Sequence, residues 1–508
     1  MSAAPPGRCG VPGRMSGEGH GPAPADGRVR LSDPAGRWTL LVTAAGSGLV
    51  LLEATVVNVA LPALERSLAA SLAGLQWTVN AFTLTLSALI LLGGALGDRF
   101  GRRRIYLIGI AWFAAASLLC GIAPSLEWLI AARALQGIGG ALVVPGSLAL
   151  IQDSFHADDR NRALGWWSGL SGAAGALGPL LGGGLVDTAG WRWVFLVNVP
   201  VAAALGVVLV ARVPKRHTGT RSGRFDVLGA ASAAIGLGGT TYALTRGADD
   251  PGPATVAAVV GIAAMLVFWW AERRSRTPML PLGLFGSGPF SAANLAGFFL
   301  YGALAALLFV LPIQLQVTTG YSALATGLAL LPLTALTLAL SARSGTLAAR
   351  LGPRVPLTAG SFICAMALLL ATRIDAHASY PTDVLPVVLL VGIGIPLVTP
   401  AITATVLNAV PDTRAGIASA VSNGVARTAG LLVVAALPLL ARLPQDAAGN
   451  PVALDHGFDR SMLIGSGLFV LGGLVAWFGI PPPAATTTGS VCRHHCATKP
   501  QLQAPTRC

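Results

Sequence analysis

The sequence predicts an all-α polytopic membrane protein with fourteen transmembrane helices, arranged as two six-helix bundles plus two inserted helices. Three observations carry this prediction. Long apolar segments recur along the chain, positive charge gathers in every second connection, and one connecting sequence occurs twice. Of the 508 residues, 54% are hydrophobic and only 11% are charged, whereas a soluble domain carries about a quarter charged residues. A soluble multidomain protein is therefore excluded.

The apolar segments are long enough to cross a bilayer. A transmembrane helix needs about 20 mostly apolar residues, and fourteen segments meet that requirement. They lie at 38–61, 75–96, 105–123, 127–151, 164–187, 193–213, 226–245, 255–271, 289–312, 322–341, 355–372, 384–408, 416–440 and 461–480. An even number of crossings places both termini on the same side of the membrane.

The distribution of Lys and Arg predicts the orientation, because cytoplasmic connections are enriched in these residues. With the N-terminus inside, the inner segments hold 26 of the 34 Lys and Arg residues and the outer segments hold six. The remaining two, Arg133 and Arg427, fall within spans. Both termini are therefore expected in the cytoplasm. The net charge of +13 is explained by topology, so no nucleic-acid partner is expected.

A repeated connection divides the chain into two halves. Residues 345–354 align with residues 94–103, with glycine, leucine and arginine at matching positions. These connections follow spans 2 and 10, so spans 1–6 and 9–14 are predicted to be parallel copies and spans 7 and 8 an inserted pair. One large class of secondary transporters is built from such parallel halves, whereas a passive scaffold needs no repeat.

The predicted domain organisation has five parts. They are a disordered basic cytoplasmic tail at 1–36, an N-terminal six-helix bundle at 37–213, two inserted helices with basic cytoplasmic loops at 214–288, a C-terminal six-helix bundle at 289–480 and a cytoplasmic tail at 481–508. The six cysteines show no pairing pattern. Cys492, His494, His495 and Cys496 are too tightly spaced for a usual structural zinc site, so no metal is predicted.

Glu53 and Arg133 are ionisable residues at overlapping depths within spans of the first half. Glu53 lies eight residues, about 12 Å, before the outer end of span 1, and Arg133 lies six residues, about 9 Å, from the outer end of span 4. Such groups are costly within a membrane and mark function. Burial favours a neutral carboxylic acid and a nearby arginine favours its ionised form, so the pair is a candidate for proton coupling. A static ion pair, or a pore-facing residue without a proton role, is the alternative.

The connection between spans 2 and 3 combines glycines with one acid and four arginines. Its candidate gating residues are Gly93, Gly97, Asp98, Arg99, Gly101, Arg102 and Arg103. The arginines would hold the loop in the cytoplasm near anionic headgroups. Asp98 could accept hydrogen bonds from a helix N-terminus or from an arginine of the other half in one conformational state only. A pure topology signal is the alternative, although it would not require Asp98 or the glycine spacing.

Span 5 is rich in glycine. Glycines at 165, 169, 172, 175, 178 and 182 recur every three or four residues, which is typical of a face that permits close helix approach. Pro179 follows Gly178 in mid-span, where it removes a hydrogen bond and permits a bend. Ordinary packing through small residues is the alternative.

Isolated polar or aromatic residues within the spans are candidates for a substrate cavity. They are Asn58, Trp77, Asn80, Gln136, Asn294 and Gln314. Such amides equally serve as hydrogen-bonding contacts between helices. Arg427, in span 13, is either an anchor at the cytoplasmic end of the span or a residue with a role in transport.

Several motifs resemble those of the major facilitator superfamily. Residues 93–104 resemble its signature between spans 2 and 3, and Arg133-x-x-Gln136-Gly137 resembles its span 4 motif. Gly178-Pro179-x-x-Gly182-Gly183 is similar to the span 5 motif associated with antiporters. Residues 55–62 and 191–200 are similar to motifs of the fourteen-span drug:proton antiporter branch.

This resemblance covers residues 38–480 and implies the superfamily fold. It further implies that Glu53 and Arg133 couple protons, that Gly178, Pro179, Gly182 and Gly183 belong to a gating antiporter helix, and that the 93–104 loop controls the switch. The chain departs from the branch in carrying Glu53 where Asp is usual. The second-half loop has Ala349 where Asp98 stands in the first.

The expected function is proton-coupled export of small amphipathic organic compounds by alternating access, as a monomer in the cytoplasmic membrane. No enzyme signature and no phosphate-binding loop is present in the sequence, so a proton gradient, with no cofactor, is expected to drive transport. The expected partners are a small-molecule substrate, protons and lipid. A proton-coupled uptake symporter and a non-transporting scaffold or receptor are the alternatives.

Overall fold

Helices form all the regular elements that the structure describes. The computed structural model describes residues 28–214, 227–247, 250–275, 280–411, 414–444 and 450–482. The α-helices in these ranges are α1 Pro34–Leu68, α2 Leu72–Phe100, α3 Arg102–Gly121, α4 Leu126–Ser154, α5 Ala157–Ala176, α6 Gly178–Ala189, α7 Arg192–Leu196, α8 Asn198–Arg212, α9 Val227–Arg246, α10 Pro251–Arg274, α11 Gly288–Val317, α12 Ala323–Ala329, α13 Leu331–Leu351, α14 Arg354–Ala371, α15 Leu385–Asn408, α16 Ala415–Ala441 and α17 Pro451–Gly479. A short 3-10 helix at Leu282–Gly286 precedes α11, and a π-helical turn at Tyr380–Val384 precedes α15.

Thirteen helical segments within the described residues are long and apolar enough to cross a membrane. They coincide with thirteen of the fourteen predicted spans. The remaining predicted span, the seventh, corresponds to the 20-residue helix α9. Large apolar side chains such as Trp112, Val256 and Phe478 are exposed at the protein surface, as expected where lipid rather than water covers the helices. The chain is a multi-pass, all-α membrane protein, and the predicted fold class is confirmed.

Two of the predicted spans are each interrupted in the middle. Span 5 consists of α5 and α6, which meet at Leu177, and span 10 consists of α12 and α13, which meet at Leu330. In both cases a proline, Pro179 or Pro332, follows the interruption by two residues. Proline is tolerated in the first turn of a helix because its missing N–H needs no partner there. The interruption at Leu330 was not predicted from the sequence, although Pro332 was its signal.

The repeated connection forms the same backbone turn in both halves. Helix α2 ends at Phe100 and is followed by Gly101 with a φ of +96°, and α13 ends at Leu351 and is followed by Gly352 with a φ of +76°. Residues with a side chain rarely adopt such angles. The shared turn supports the alignment of residues 345–354 with residues 94–103.

Helices α1 to α8 pack together in a first bundle, and helices α11 to α17 pack together in a second. The bundles meet through α1 with α11, α2 with α16, and α6 with α12. Helices α9 and α10 pack on each other, and α9 also contacts α2 and α16, one helix of each bundle. The division of the chain at residues 213 and 288 stays a prediction.

The structure differs from the sequence prediction near the start of the chain. Residues 28–36 belong to the segment expected to be disordered, yet α1 begins at Pro34 and the N–H of Val29 donates to the carbonyl of Ser154, 2.8 Å away. The reason is apolar burial, because Val29 packs with Phe155 in a small cluster. Residues 1–27, the loop 215–226 and the tail 483–508, including Cys492 and Cys496, lie outside the described residues.

Candidate transport site

Glu53 lies near the middle of α1 in a fully buried polar site. Its Oε1 accepts a hydrogen bond from Nη1 of Arg133 in α4 at 2.5 Å, and its Oε2 accepts one from Nδ2 of Asn198 in α8 at 2.6 Å. Glu53 is 0% exposed and Arg133 is 1% exposed. The predicted pair is thus in direct contact, and it ties α1 to two other helices of the first bundle.

The guanidinium of Arg133 is bound on several sides. Its Nε donates to the carbonyl of Thr78 at 2.9 Å, and its Nη1 also donates to Oε1 of Gln136 at 2.6 Å. Gln136 donates in turn to the hydroxyl of Ser117 in α3 at 2.7 Å. The ring of Phe82 lies 4.5 Å from the guanidinium carbon, close enough for a cation–π contact. A buried ion pair is tolerable only when its remaining hydrogen-bonding groups are satisfied, and this network meets much of that requirement.

Glycines in α4 bring its backbone close enough for these contacts. A Cβ added at Gly137 would overlap the carbonyl of Phe82 in α2, and a Cβ added at Gly139 would lie 2.8 Å from the Cα of Phe113 in α3. Helix α4 is therefore packed tightly between its neighbours. This packing lets Arg133 and Gln136 reach α1, α2 and α3 from one face.

A cavity of about 450 Å³ lies between the two bundles. Helices α1, α2, α11, α15 and α16 form its walls, and most of its lining is apolar. Its polar lining residues are Thr55, Asn58, Asn80, Thr83, Tyr301, Thr399, Thr403, Ser419, Ser422, Asn423 and Arg427. A smaller cavity of about 130 Å³ shares Thr55 and Asn58 with it and reaches Pro179 at the interruption of span 5.

The ion pair and the cavity lie on different faces of α1. Ala54, Thr55 and Asn58 line the cavity, while Glu53 is directed toward Arg133 and Asn198. The cavity and the buried carboxylate are therefore separate sites that share one helix.

The glycine-rich part of span 5 packs closely on both bundles only in its second half. Added Cβ atoms at Gly178 and Gly182 would overlap Thr55 and Val56 of α1, and one at Gly183 would overlap the carbonyl of Ala323 in α12. By contrast, an added Cβ at Gly165, Gly169 or Gly172 would meet no atom within 4 Å among the described residues. The predicted close-packing face is thus present around the predicted antiporter motif and missing from the earlier turns.

The connection between α2 and α3 is fixed by its arginines. Nε of Arg102 donates to Asp98 at 3.1 Å, and Nη1 of Arg102 donates to the carbonyl of Ala149 in α4 at 3.1 Å. Arg103 donates to the carbonyl of Leu209 near the end of α8 at 3.0 Å. These bonds satisfy carbonyls near helix C-termini, where positive charge is favoured. In the described part of the chain, Asp98 has no hydrogen bond to the second bundle.

The other predicted loop residues have distinct environments. A Cβ added at Gly93 would overlap the carbonyl of Ala141 in α4, so close helix approach requires glycine there. An added Cβ at Gly97 would meet only Arg102, at 3.9 Å or more. The guanidinium of Arg99 lies 5.5 Å from the ring centre of its neighbour Phe100.

Several hydrogen bonds between the bundles join described residues at mid-depth or toward the end opposite to this loop. Asp187, near the end of α6, accepts from the backbone N–H of Ala323 and Leu324 in α12. Gln316 in α11 donates to the carbonyl of Val59 in α1 at 2.9 Å. Three further bonds of this kind join Gln76 to the carbonyls of Val434 and Ala435, and Thr334 to the carbonyl of Ala176. The bundles are closed together at the end that carries Asp187.

The comparison with known proteins identifies the family. Residues 43–435 match the family model described as Major Facilitator Superfamily. The chain belongs to this superfamily. It is 37% identical over 485 residues to puromycin resistance protein pur8 of Streptomyces alboniger, covering 90% of this chain and 94% of that protein. It is 33% identical over 435 residues to the tetracenomycin C resistance and export protein of Streptomyces glaucescens, covering 84% of this chain and 80% of that protein.

A solved structure shares the fold of this chain. The bacterial homologue of the human lysosomal transporter Spinster, in an inward-facing and unoccupied conformation, superposes with a TM-score of 0.65 at 17% identity. The alignment covers 88% of this chain and 97% of that one. The chain is therefore a transporter of the major facilitator type, and its sequence relatives are named for antibiotic resistance and export.

The transporter's cavity contains only two of the six residues predicted for it from the sequence, Asn58 and Asn80. The other four side chains make contacts outside the cavity. Trp77 faces Tyr242 of α9, with ring centres 6.2 Å apart, and Gln136 belongs to the Arg133 network. Asn294 donates to the carbonyl of Phe290 in its own helix at 2.9 Å.

Gln314 is also outside the cavity, because its Nε2 donates to the carbonyl of Ile374 at 2.8 Å and to Asp455 at 2.7 Å. Trp77, Gln136, Asn294 and Gln314 therefore do not line this cavity in the described conformation, and their assignment to a substrate site stays a prediction. The physical reason is that polar groups buried between helices find nearer partners there than in a cavity.

Asn198 is the site residue that the sequence analysis did not single out. Its amide is one of the two hydrogen-bond donors to Glu53, and it lies fully buried in α8. The available signal was its position in the 191–200 motif, as a lone amide at the start of an apolar helix.

Proposed function

We propose that this transporter is a proton-coupled antiporter that exports small amphipathic organic compounds across the cytoplasmic membrane by alternating access. The observation that carries the proposal is the placement of Glu53 and the cavity on different faces of α1. A proton bound on one face and a compound bound on the other both act on the position of this helix.

The contacts of Glu53 support the proton side of the proposed mechanism. As a carboxylate, Glu53 holds α1 to α4 through Arg133 and to α8 through Asn198. A proton on Glu53 removes the negative charge that balances Arg133, and the attraction between α1 and α4 weakens. Because neither group is exposed in the described conformation, proton exchange requires the helices of the first bundle to move.

The compound side follows from the cavity. Its volume of about 450 Å³ is within the range of about 300–1,000 Å³ typical of small-molecule sites. Its apolar walls from both bundles would remove an apolar skeleton from water, and its scattered hydroxyl and amide groups would orient polar substituents. An amphipathic compound would match both the apolar walls and the polar groups of the cavity.

The cross-bundle contacts support alternating access. The end that carries Asp187 is closed by hydrogen bonds between the bundles, whereas Asp98 at the opposite end is bound within its own connection. The excess of arginine in the connections at the Asp98 end supports a cytoplasmic location for that end and for both termini. In this proposal the described conformation receives a compound from the cytoplasm, and rocking of the bundles releases it outside.

The names of the relatives support export rather than uptake, since they are a resistance protein and a resistance and export protein. In this proposal the transporter works as a monomer, and the proton gradient supplies the energy without a bound cofactor.

The deciding experiment measures the direction of coupled flux in proteoliposomes whose transporters have the cytoplasmic face outward. With an acidic lumen, the lumen should accumulate members of a panel of amphipathic antibiotics above the level in protein-free liposomes, while a trapped pH dye reports proton exit. A protonophore should dissipate the pH gradient and stop the accumulation of compound. Movement of compound and protons in the same direction would identify a symporter. Absence of compound flux under a pH gradient of either sign would overturn the transport proposal.

A further inference from the structure

Arg427 is a cation in the middle of a membrane helix. It is the thirteenth of the 27 residues of α16, so each end of the helix lies about 18–21 Å away along the axis. An arginine near a helix end extends its guanidinium to the interface, but the side chain is far too short to do so from this position. The interpretation of Arg427 as an anchor at the cytoplasmic end therefore does not fit the structure.

The guanidinium of Arg427 borders the cavity and has no protein counter-ion there. Among the residues that line the cavity, all of them in the described part of the chain, Arg427 is the only charged one. The ion pairs found among the described residues do not include it, and its buried Nε has no hydrogen-bond acceptor there. Glu53, the buried acid of α1, is already bound to Arg133 and Asn198.

Arg133 provides a useful contrast within the same protein. Its guanidinium has a carboxylate, an amide oxygen and a backbone carbonyl as acceptors. A charged group removed from water normally has such partners, because an uncompensated buried charge is strongly unfavourable. The structure gives Arg427 a cavity in place of those partners.

We propose that Arg427 binds the acidic group of the transported compound, so that the preferred substrates are anionic amphipaths. This inference rests on the proposed transport function and adds the charge class of the substrate. A carboxylate, sulfonate or ionised phenol would accept hydrogen bonds from the guanidinium, which presents several N–H donors in one plane. The apolar skeleton would lie against residues such as Leu304, Leu308 and Phe309.

The charge of the cavity also predicts which compounds are disfavoured. A cationic amphipath would bring a second positive charge into a cavity of low polarity with no acidic lining residue, and like charges repel strongly there. A neutral compound of the same shape would gain the apolar contacts but would leave Arg427 without a counter-ion.

The test uses two fluorescent probes that differ by one acidic group. The first is 8-anilinonaphthalene-1-sulfonate, and the second is N-phenyl-1-naphthylamine, which has the same ring skeleton without the sulfonate. Both are titrated into the purified full-length transporter in phosphatidylcholine nanodiscs, and protein-free nanodiscs give the background. The wild type is compared with Arg427→Gln and Arg427→Lys. Arg414→Gln, a change in a residue that precedes the same helix and does not line the cavity, is the matched control.

We expect Arg427→Gln to weaken binding of the sulfonate probe at least tenfold and binding of the neutral probe less than twofold. Arg427→Lys should retain part of the preference for the sulfonate probe over the neutral probe. Arg414→Gln should bind both probes like the wild type. Equal losses for the two probes would assign Arg427 a structural role and overturn the inference. Unchanged sulfonate binding in Arg427→Gln would also overturn it.

One further arm separates a transported compound from a lipid ligand. Adding phosphatidylglycerol to the nanodiscs tests for an anionic lipid as the ligand, and competition with the sulfonate probe that depends on Arg427 would transfer the site from substrate to lipid and overturn the proposal. The binding assay requires no proton gradient, so its outcome is independent of the flux experiment. A charge preference without proton-driven flux would remove the antiport proposal, and flux without a charge preference would remove only the assignment of Arg427.

Discussion

The carboxylate of Asp187 in the first bundle accepts hydrogen bonds from the backbone N–H groups of Ala323, at 3.2 Å, and Leu324, at 2.9 Å, in the second bundle. These N–H groups lie at the start of α12 and have no partner within their own helix. The contact therefore joins the two bundles only while this end of the transporter is closed.

Replacement of this carboxylate should favour opening of that end. Asp187→Ala removes the acceptor, and loss of a capping interaction costs about 1 kcal/mol, so the population of the open form should rise roughly fivefold. Distances between spin labels at Thr188 and Ala376, in a background without native cysteines, measure the change by pulsed electron resonance. Asp383→Ala is the control, because Asp383 binds Ser379 and Thr382 of its own segment. An unchanged distance distribution in Asp187→Ala would contradict the role of Asp187.

Glu53→Gln should abolish proton-driven transport while the protein remains in the membrane. Glutamine is close in size to glutamate but does not take up or release a proton in the physiological range. Efflux driven by a pH gradient in proteoliposomes should fall to the level of protein-free vesicles. Binding of compounds should change less, because Glu53 does not line the cavity.

The matched control for that variant is Glu65→Gln, a change in the same helix at a partly exposed residue near its end. It should transport at nearly the wild-type rate. If Glu53→Gln retained full gradient-driven efflux, Glu53 would have no part in coupling.

A single methyl group should distinguish the two parts of the span 5 glycine face. In Gly183→Ala the new Cβ would overlap the carbonyl of Ala323, and overpacking of this kind costs about 1–3 kcal/mol. The closed form at that end should therefore lose population at least fivefold, with slower transport. Gly169→Ala, where the new Cβ meets no described atom within 4 Å, should stay within twofold of the wild type. Equal rates for the two variants would exclude close packing at Gly183 as a requirement.

Asp98→Asn should slow turnover about tenfold while changing binding less than twofold. The described conformation uses Asp98 only for Arg102 in its own connection, so a role in the switch between states would affect the rate. Initial transport rates and probe affinities in nanodiscs measure the two quantities. Asp158→Asn, a change in an exposed acid at the start of α5, is the control. A loss confined to affinity would exclude the gating role.

The sequence predicted the helices and the Glu53–Arg133 contact well because both depend on position along an axis. Span ends and a rise of 1.5 Å per residue place the two residues at similar depths, and two opposite charges within lipid have few other partners. The repeat likewise predicted equivalent turns, now seen at Gly101 and Gly352.

The cavity was harder to predict because it depends on how each helix is rotated about its axis. Asn58 and Asn80 face the cavity, whereas Gln314 binds Asp455, which is 141 residues away in the sequence. A single sequence carries no signal for such a pairing between distant helices. Arg427 was visible in the sequence as an isolated charge, but its environment followed only from the packing of α16 against α2 and α11.

Helix α9 contacts α2 of the first bundle and α16 of the second, and this arrangement has a mechanical consequence. If the bundles rotate against each other, α9 and α10 move with at most one of them, and the contact with the other must slide. In the proposed transport cycle, the side chains between α9 and its two neighbours must therefore exchange contacts, and part of the energy barrier to rocking lies there.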